Sequence, residues 1–368
     1  MKICHFTTVH PREDVRIFYK ECSSLAEKGY NVTLLVADGK GNETKNNVEI
    51  IDIGDYRTSR MKRLFLGRKI MLKKALSLDS DIYHFHDPEL LPIGLKLKKK
   101  HRKVIYDCHE DVAKQILYKT WLGPLLIRTF LSKAYDKYEK RISKQLDGLV
   151  SVIDEITNKF EVINKITLKN YPVINEIATK QKPIHERQNK IVYIGSLSKV
   201  RGIKDYIEAM ADVNPEYELI LIGKFSSDEF HNECKELKSW RRVNYMGFLP
   251  LEKAIDVYSN CYLGLSVLHP EKNYLTSLPT KGFEYMAVGI PTVMSDFDYW
   301  RPYFDGCAVF ITPQNPKNLA DTINHLIVST DEYQKLVHNC NEKIHQYSWE
   351  NEFDKLLNLY NTILNLPK

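Results

Sequence analysis

The chain has 368 residues, of which 43% are hydrophobic and 27% are charged, and its formal net charge is +6 at pH 7. A chain of this length and composition can bury a sizeable core in two domains or one large one, which excludes the disordered and low-complexity classes. The seven cysteines are dispersed, with no close pair. That pattern argues against a disulfide framework or a zinc ribbon and favours a reducing setting.

The sequence also argues against export and against a membrane-spanning segment. Its first residues, MKICHFTTVHPRED, become polar too early for a signal peptide. The longest apolar run, at 121–131, contains Arg128 and is shorter than the roughly 18 residues that a bilayer requires. We therefore expect a cytoplasmic protein.

The first half of the chain alternates strand and helix patterns. Short apolar, β-branched runs predict strands at 2–8, 32–37, 48–53, 81–86, 104–108 and 149–153. Between the first two, Val15, Phe18, Cys22 and Leu25 share a helical face, and Gly29 suits the end of that helix. Because these strands are apolar nearly throughout, both faces of the sheet should be covered by helices, which predicts a parallel α/β domain.

The pattern breaks at the polar segment after Pro172 and restarts at Lys190. Further strands are predicted at 190–194, 218–222, 243–246, 262–267, 292–295 and 307–311, followed by an amphipathic helix at about 350–364. We therefore expect a first domain at 1–172, a linker at 173–189, a second doubly wound domain at 190–348, and a C-terminal helix at 349–368 that packs back toward the first domain.

The positive charge is concentrated in the first domain. Residues 51–150 contain 22 basic and 12 acidic side chains, and the stretches 57–74 and 96–103 are the most basic. Since the first stretch mixes cations with apolar residues such as Met61 and Phe65, it predicts a face that touches anionic lipid. A solvated charged helix is the alternative. The lack of a recognised motif argues against nucleic acid.

Informative polar residues follow the predicted strands. Ligands of open parallel sheets bind beyond the carboxyl ends of the strands, so these positions are candidates for a site. In the first domain they are His10, Arg12, Asp14, Arg16, His84, His86, Asp87, His109 and Asp111. In the second domain they lie in the segments 195–202, 223–225, 247–249 and 273–284.

Three other classes of site fit the sequence poorly. The loop after the first strand has no glycine, so the GxGxxG fingerprint of dinucleotide-binding oxidoreductases is missing, and no Walker A sequence is present. His84, His86 and His109, with Asp87 and Asp111, could converge on a metal ion. However, paired histidines on a strand are more often packed in the core or at its rim, so we expect no metal.

The segment SLPTKGFEYMAVGIP at 277–291 resembles the family 4 glycosyltransferases. HPREDVRIFYKECSSLAEKGYNV, HFHDPELLPIGL, YDCHED, YIGSLSKVRGI and NYMGFLP extend the resemblance, in order, to a bacterial branch that makes capsular, exo- or lipopolysaccharides. The resemblance implies the GT-B fold, in which two Rossmann-like doubly wound domains face a central cleft. It also implies retaining transfer from a UDP- or GDP-sugar to a glycan or lipid-linked hydroxyl, with no metal and no tightly bound cofactor. Location would be cytoplasmic or peripheral on the inner face of the plasma membrane.

The resemblance assigns roles in the second domain. Glu284 would accept hydrogen bonds from two ribose hydroxyls, and Lys281, in the first turn of its helix, would bind the diphosphate. Arg201 would stabilise the leaving diphosphate. The family usually has lysine there and arginine at the position of Ser196. The nucleotide-binding set would be Gly195, Ser196, Gly223, Lys224, Phe248, Leu249, Ser277, Leu278 and Glu284.

In the first domain, His109 matches the family's histidine that faces the donor sugar, which completes a catalytic set with Arg201 and Lys281. His10, Arg12, Asp14, Arg16 and His86 would shape the acceptor side, although Asp14 and Arg16 could equally form a loop-fixing ion pair. The family pattern has a glutamate where this chain has Thr276. Asn273, Thr276, Ser277 or backbone amides would then contact the sugar.

Other functions remain open on the same fold. A sugar-nucleotide epimerase or a phosphorylase would share the nucleotide or phosphate site, but the epimerase motifs do not match and no lysine context for pyridoxal phosphate is found. Because of Ser196 and Thr276, a catalytically inactive nucleotide-sugar-binding scaffold is the remaining alternative.

Overall fold

A computed structural model describes residues 1–56 and 59–365, without the side chains of Arg60, Glu176 and Asn273. The chain forms two compact units. Unit 1 consists of Met1–Asn170 and the C-terminal segment from Trp349, and unit 2 consists of Tyr171–Ser348. Both are parallel α/β structures, as the sequence predicts.

Unit 1 contains an eight-stranded sheet. Its strands are β1 Lys2–Phe6, β2 Asn31–Val36, β3 Glu43–Lys45, β4 Val48–Asp52, β5 Ile82–Phe85, β6 Lys103–Cys108, β7 Gly148–Ser151 and β8 Lys165–Thr167. They are ordered β3-β4-β2-β1-β5-β6-β7-β8, and all neighbours are parallel except the β3–β4 pair. The sequence did not predict β3 and β8, because each has three residues and too few apolar side chains for a strand pattern. Asn46 and Asn47, both at positive φ, form the tight turn of the β3–β4 hairpin.

Unit 2 contains a six-stranded parallel sheet. Its strands are β9 Gln188–Ile194, β10 Glu218–Ile222, β11 Val243–Gly247, β12 Cys261–Ser266, β13 Thr292–Ser295 and β14 Ala308–Ile311. The order is β11-β10-β9-β12-β13-β14, so the direction of winding reverses between β9 and β12. That is the switch point at which open α/β sheets bind their ligands.

Helices cover these sheets. In unit 1, the π-helical segment Val15–Cys22 continues into α1 Ser23–Glu27, and α2 Arg60–Lys62, α3 Arg68–Leu78, α4 Leu91–Lys98, α5 Val112–Tyr118, α6 Leu125–Ser143 and α7 Asp154–Lys159 follow. Unit 2 contributes α8 Ile174–Ala178, α9 Ile203–Ala209, α10 Asp228–Lys235, α11 Leu251–Tyr258, α12 Lys272–Leu275, α13 Thr280–Ala287, α14 Arg301–Phe304, α15 Pro316–Val328 and α16 Thr330–Lys343. Helix α8, with Ile174 and Ile177 buried, lies within the segment expected to be a linker.

The C-terminal helix α17, Trp349–Leu364, packs on unit 1. Trp349 Nε1 donates a hydrogen bond to Ser24 Oγ (2.8 Å), and the Lys169 amide donates to the Glu352 carboxylate (2.9 Å). A Cβ atom at Gly148 would lie 2.7 Å from Ile363 Cδ1, so a larger residue on β7 would require the Ile363 side chain to shift.

The two cores differ in composition. The centre of unit 2 is apolar, with Trp300, Tyr206 and Tyr285 fully buried. Unit 1 buries a set of ionisable side chains beside its apolar core: His5, Arg16, Glu21, His84, His86, Asp87 and Asp107. Buried charge is costly without partners, so this set marks a candidate site. Within residues 1–56 and 59–365, every helix is too short or too polar to cross a bilayer.

Candidate functional site

The carboxyl ends of three adjacent strands in unit 2 are lined by main chain. Gly195 follows β9, Gly223 follows β10 and Gly247 ends β11, all at positive φ. The Gly223 amide donates to the Gly247 carbonyl (2.8 Å), and a Cβ atom on Gly223 would lie only 1.7 Å from the Gly195 carbonyl oxygen. Glycine is therefore required at this edge, where a ligand can approach the backbone.

Arg201 lies at the neighbouring strand end. It ends a 3₁₀ turn after β9, and Gly202 follows at φ 71° with no room for a Cβ beside the Val267 carbonyl oxygen (2.3 Å). The guanidinium carbon is 5.4 Å from the Tyr274 ring centroid. Burial alone would lower the pKa of Arg201, but Tyr193 and Tyr274 raise it by more than burial lowers it, so the net shift is upward. Arg201 is thus a fixed cation between the ends of β9 and β12.

Lys281 and Glu284 contact each other on α13. Lys281 Nζ is 3.2 and 3.1 Å from the two Glu284 carboxylate oxygens, and both side chains are half-buried. The helix begins at Thr280, so Lys281 lies in its first turn as predicted, and it ends at Ala287, before Gly289 at φ 68°. Trp300 Nε1 donates to the Ser277 carbonyl (2.7 Å) and anchors the preceding loop. The pair therefore offers an ammonium and a carboxylate on a rigid support.

An apolar surface completes the unit 2 candidate site. Phe248 is 66% exposed, and Lys224 Nζ lies 5.5 Å from its ring centroid. Leu249 packs partly on the core, Leu278 is half-buried, and the carbonyl of the exposed Ser196 accepts from Tyr193. The Thr276 hydroxyl donates to the Lys272 carbonyl (3.4 Å), while the side chain of Asn273 lies outside the described residues. An exposed ring beside a cation suits a planar base.

In unit 1, a buried network joins the sheet to α17. His5 on β1 is opposite His84 on β5. The Tyr360 hydroxyl lies 2.7 Å from His84 Nδ1 and 3.2 Å from His5 Nε2, and His5 Nδ1 lies 2.9 Å from His86 Nε2. Each ring nitrogen in these pairs acts as donor or acceptor according to its tautomer. The network therefore connects the C-terminal helix with the strand ends.

Asp107 on β6 is the hub of this network. Its carboxylate accepts from Arg16 Nε (3.1 Å) and lies 3.1 Å from His109 Nε2 and 3.4 Å from His86 Nδ1. Burial raises the pKa of Asp107, but Arg16 and His109 hold it well below its ordinary value. Burial raises the pKa of Glu21 well above its ordinary value, although Arg16 Nε is 3.2 Å away. Arg16 thus favours the ionised form of Asp107, while burial favours the protonated form of Glu21.

His109 lines a cavity of about 450 Å³. Its ring centroid is 4.8 Å from that of His10, and its side chain is 15% exposed. His86 and Asp87 also line the cavity, whose wall includes Tyr135 and Tyr138. The structure thus brings together His10, His86 and His109 from three separate segments, at the carboxyl ends of β1, β5 and β6.

The loop after β1 is held by its polar residues. Asp87 accepts hydrogen bonds from the hydroxyls of Thr7 and Thr8. Arg12 is buried and pairs with Asp38 (2.6 Å) and Glu43 (2.6 Å). These contacts fix the loop that carries His10, whose Nε2 lies 3.5 Å from the Asp87 carboxylate.

Asp14 and Arg16 have different partners. Asp14 caps the helical segment by accepting from the Arg16 and Ile17 amides. Burial alone would raise the pKa of Asp14, but hydrogen bonds from His10 and the Ile17 amide lower it to about 2. The Arg16 guanidinium contacts Asp107, Glu21 and the Leu168 carbonyl. Of the two alternatives for Asp14 and Arg16, the structure therefore does not show the ion pair between them, because Arg16 points into the core and pairs with Asp107.

Among the unit 1 residues that the structure describes, two groups of side chains have atoms close enough to share a metal ion. They are His5, Glu21, His84 and His86, and His86, Asp107 and His109. The second group overlaps the metal alternative drawn from the sequence. Arg16 already contacts the carboxylates of Glu21 and Asp107, so a fixed positive charge would oppose a bound cation. The charges therefore favour a proton-sharing network.

The buried histidines make unit 1 sensitive to acid. Burial lowers the pKa of His86 to about 4 and holds those of His5 and His84 well below their ordinary value. In the unfolded chain these side chains take up protons below pH 6.5, while in the folded chain they stay neutral to a lower pH. The contribution of these histidines to the free energy of unfolding is therefore fully present above pH 6.5. It is lost as the pH drops toward 4, by about 3 kcal/mol for His86 alone.

Hydrogen exchange measured between pH 7.5 and 5, after correction for intrinsic rates, checks this expectation. Peptides from β1 and β5 should lose protection as the pH falls, while peptides from β9 and β12 should change less. Equal loss in both units, or no loss in unit 1, would contradict the assignment of neutral buried histidines.

Sequence reasoning missed several residues of these sites. Tyr193 and Tyr274 flank Arg201, while Glu21 and Tyr360 join the buried histidines. A signal existed for Glu21, which shares a helical face with buried apolar residues. Tyr360 comes from the far end of the chain, so local pattern could not pair it with His84.

Solved structures share this architecture. A sucrose-phosphate synthase from Thermosynechococcus elongatus aligns with a TM-score of 0.70 at 16% identity, covering 99% of each chain. A glycosyltransferase from Rickettsia africae aligns with a TM-score of 0.73 at 14% identity, over 99% of this chain and 98% of that one. Anabaena Alr3699/HepE in complex with UDP-glucose aligns with a TM-score of 0.71 at 14% identity, over 98% of this chain and 100% of that one. The fold is that of the GT-B glycosyltransferases.

Family comparisons identify both units. Residues 15–161 match the model described as Glycosyltransferase Family 4, and residues 175–344 match the model described as Glycosyl transferases group 1. The two matches together span most of the chain, which therefore belongs to the glycosyltransferases, and the family resemblance seen in its sequence is confirmed. Retaining transfer and the polysaccharide-making branch stay predictions. It is 24% identical over 181 residues to spore coat protein SA of Bacillus subtilis strain 168. That match covers 46% of this chain and 48% of the relative, so the chain spans about half the length of this curated protein.

Proposed function

We propose that this enzyme transfers a sugar from a nucleotide-diphosphate donor to a hydroxyl of a glycan or lipid-linked acceptor, with retention of configuration, in cell-surface polysaccharide synthesis. The acceptor oxygen bonds to the anomeric carbon, the bond from that carbon to the diphosphate breaks, and the hydroxyl proton leaves with the nucleotide. The observation that carries the proposal is that a cation, a Lys–Glu pair and glycine-lined main chain all lie at the carboxyl ends of the unit 2 strands.

Each group in unit 2 has a task in this reaction. Glu284 accepts from the ribose hydroxyls, while the base lies on Phe248 and Leu249 beside Gly223 and Lys224. The negative charge that develops on the diphosphate is stabilised by Arg201, Lys281 and the amino end of α13, so no metal ion is required. The Anabaena protein of this fold was solved in complex with UDP-glucose, which supports a uridine nucleotide as the donor here.

The acceptor side belongs to unit 1 in this proposal. His109 hydrogen-bonds the donor sugar, oriented by Asp107 and His86, and His10 faces the acceptor hydroxyl. The unit 2 loop that carries Asn273, Thr276 and Ser277 contacts the donor sugar. Arg12, Asp14 and Arg16 act indirectly, by holding the loop after β1. An assay of nucleotide release and of product configuration distinguishes the transferase from a sugar-nucleotide epimerase and from an inactive binding scaffold. Of these three, only the retaining transferase both releases the nucleotide and gives a product with the anomeric coupling constant of the donor.

We place the enzyme in the cytoplasm, at the inner face of the plasma membrane. The basic stretches 57–74 and 96–103 support contact with anionic lipid; residues 57 and 58 lie outside the described residues. Phe65 is 72% exposed in the first stretch, whereas Lys98 in the second pairs with Asp147 (2.6 Å). The first stretch is therefore the stronger candidate, and a solvated charged helix is the alternative for the second.

Calorimetry against UDP, GDP and ADP tests the donor assignment. Glu284→Ala should weaken binding of the preferred nucleotide by about 10–100-fold, because hydrogen bonds to a charged group contribute about 1.5–3 kcal/mol each. The matched control is Glu271→Ala, an exposed glutamate in the preceding loop, which should bind as the parent does.

A deoxyribose donor makes the test specific to the proposed contact. The 2′-deoxy nucleotide should bind the parent protein more weakly than the ribonucleotide, and Glu284→Ala should abolish that difference. Binding of none of the three nucleotides, or an undiminished preference for ribose in Glu284→Ala, would contradict the assignment.

A further inference from the structure

The amino-terminal part of α6 and the turn before it expose large apolar side chains. Trp121 is 70% exposed, Leu126 85% and Phe130 72%, and Leu125 and Ile127 are also at least half exposed. The carboxyl-terminal part of the same helix packs on the protein in the usual way, with Ile142 buried on one face. Because apolar residues at 125–131 are exposed without regard to helical face, this part of α6 is not built to cover the sheet.

A second segment adds to the same surface. Met61 is 64% exposed and Phe65 72% exposed, just before α3. The two segments meet at one cavity, since Leu64 and Arg68 line it together with Tyr135 and Tyr138 of α6. We name the five side chains Met61, Phe65, Trp121, Leu126 and Phe130 the apolar rim.

The apolar rim lies in strongly basic surroundings. Residues 59–74 contain seven basic and no acidic side chains, and residues 112–143 contain seven basic and two acidic ones. Those two, Asp136 and Glu139, lie within ion-pair distance of Lys159. Arg63 pairs with Glu89 (2.7 Å) and Lys114 with Glu155 (2.5 Å), so part of this charge is balanced, but cations remain in excess. Exposed apolar side chains beside an excess of cations match the interface of an anionic bilayer, where hydrocarbon and phosphate lie side by side.

The cavity inside the apolar rim has its own polarity. His10, Asp87 and His109 supply hydrogen-bonding groups suited to sugar hydroxyls. Arg68 and Lys119 also line it, and each is two residues away in sequence from an exposed apolar side chain, Leu66 and Trp121 respectively. These cations therefore share the cavity wall with the sugar-binding groups and are close in sequence to exposed apolar side chains.

Arg68 supplies an independent observation that points to an anion in the cavity. Its Nε atom is buried and has no hydrogen-bond partner among the described residues. A buried donor without a partner costs free energy, and a phosphate oxygen in the cavity would satisfy it.

We propose that unit 1 docks on anionic membrane through the apolar rim, and that the cavity takes a lipid phosphate-linked saccharide as acceptor. The lipid chain lies along the apolar rim, the phosphate binds Arg68 and Lys119, and the sugar end faces His10 and His109. The choice of acceptor rests on the proposed transferase function, whereas membrane docking does not.

Vesicle flotation with the full chain tests the docking surface. Vesicles of 30% phosphatidylglycerol in phosphatidylcholine should carry the protein, and the double variant Leu126→Asp/Phe130→Asp should reduce the bound fraction at least tenfold. The matched control is Ile163→Asp, which changes a 98% exposed residue of the same unit and should float as the parent does. Failure of the parent to float at low salt, or equal flotation of the double variant, would overturn the docking surface. So would a dimer in sedimentation that the double variant abolishes, because a second copy would then cover the apolar rim.

Binding of farnesyl phosphate, farnesol and inorganic phosphate separates the parts of the proposed acceptor. Farnesyl phosphate should bind at least tenfold more tightly than either other probe, and Arg68→Gln should remove most of that advantage. Arg141→Gln, at an exposed arginine on α6, is the control. Inorganic phosphate binding as tightly as farnesyl phosphate would overturn the lipid assignment. If vesicles and farnesyl phosphate bind but no nucleotide does, the proposed transferase function fails while this surface stands.

Discussion

Replacing Arg201 with alanine is expected to lower the turnover of sugar transfer by about 10²–10³-fold, the usual loss when one preorganised donor to a developing anion is removed. Arg201 is held between the ends of β9 and β12 by the tight approach of Gly202 to Val267, and Tyr193 and Tyr274 raise its pKa. It therefore stays charged and needs no rearrangement as the diphosphate leaves. Turnover with saturating donor in a purified assay measures the effect.

The control for this substitution lies on the same turn. Lys199→Ala removes an exposed cation that pairs with Glu233, and turnover should stay within about twofold of the parent because surface pairs contribute little. Arg201→Lys should retain part of the rate, since charge remains while the bidentate geometry is lost. Unchanged turnover in Arg201→Ala would refute its role.

Replacing Asp107 with asparagine should lower the free energy of unfolding of unit 1 by about 3–5 kcal/mol, the usual cost of breaking a buried ion pair from one side. Arg16 would keep its charge in the core, with Glu21 as its remaining carboxyl neighbour. His109 and His86 would also lose the carboxylate that orients them. Urea unfolding monitored by hydrogen exchange in β1 and β6 measures the loss.

Asp79→Asn provides the comparison for a surface pair. Asp79 pairs with Arg102 at 2.6 Å, but its side chain is 73% exposed, so the expected loss is below about 1 kcal/mol. Asparagine also tolerates the left-handed backbone at this position. If Asp107→Asn were as mild as Asp79→Asn, the buried network would not have the electrostatic role assigned to it.

Much of the fold followed from apolar pattern alone. The predicted strands at 218–222 and 292–295 coincide with β10 and β13, because short buried runs bounded by turns leave few alternatives. Strand β3 was missed because its residues, ETK, are polar and gain stability only from pairing with β4. The helix predicted after β1 exists, but it begins with a π-helical segment that sequence periodicity does not reveal.

The sites were less predictable than the fold. Strand ends in a parallel sheet meet at one edge, so the grouping of His10, His86 and His109 could be expected. The partners of Arg16 could not, because its pairing with Asp107 joins positions 91 residues apart through the core. The exposure of Trp121 and Leu126 was equally hidden, since an apolar run in sequence is usually buried.

The central claim is that unit 2 holds a nucleotide-sugar at its strand ends, with Glu284 on the ribose and Arg201 on the diphosphate. A crystal structure with UDP-glucose, or with the nucleotide sugar that calorimetry selects, tests it most directly. We predict that one Glu284 carboxylate oxygen or both will accept from the ribose hydroxyls at about 2.7–3.0 Å, and that Arg201 will contact a phosphate oxygen. A donor bound away from both side chains, or held by only one of them, would contradict the account.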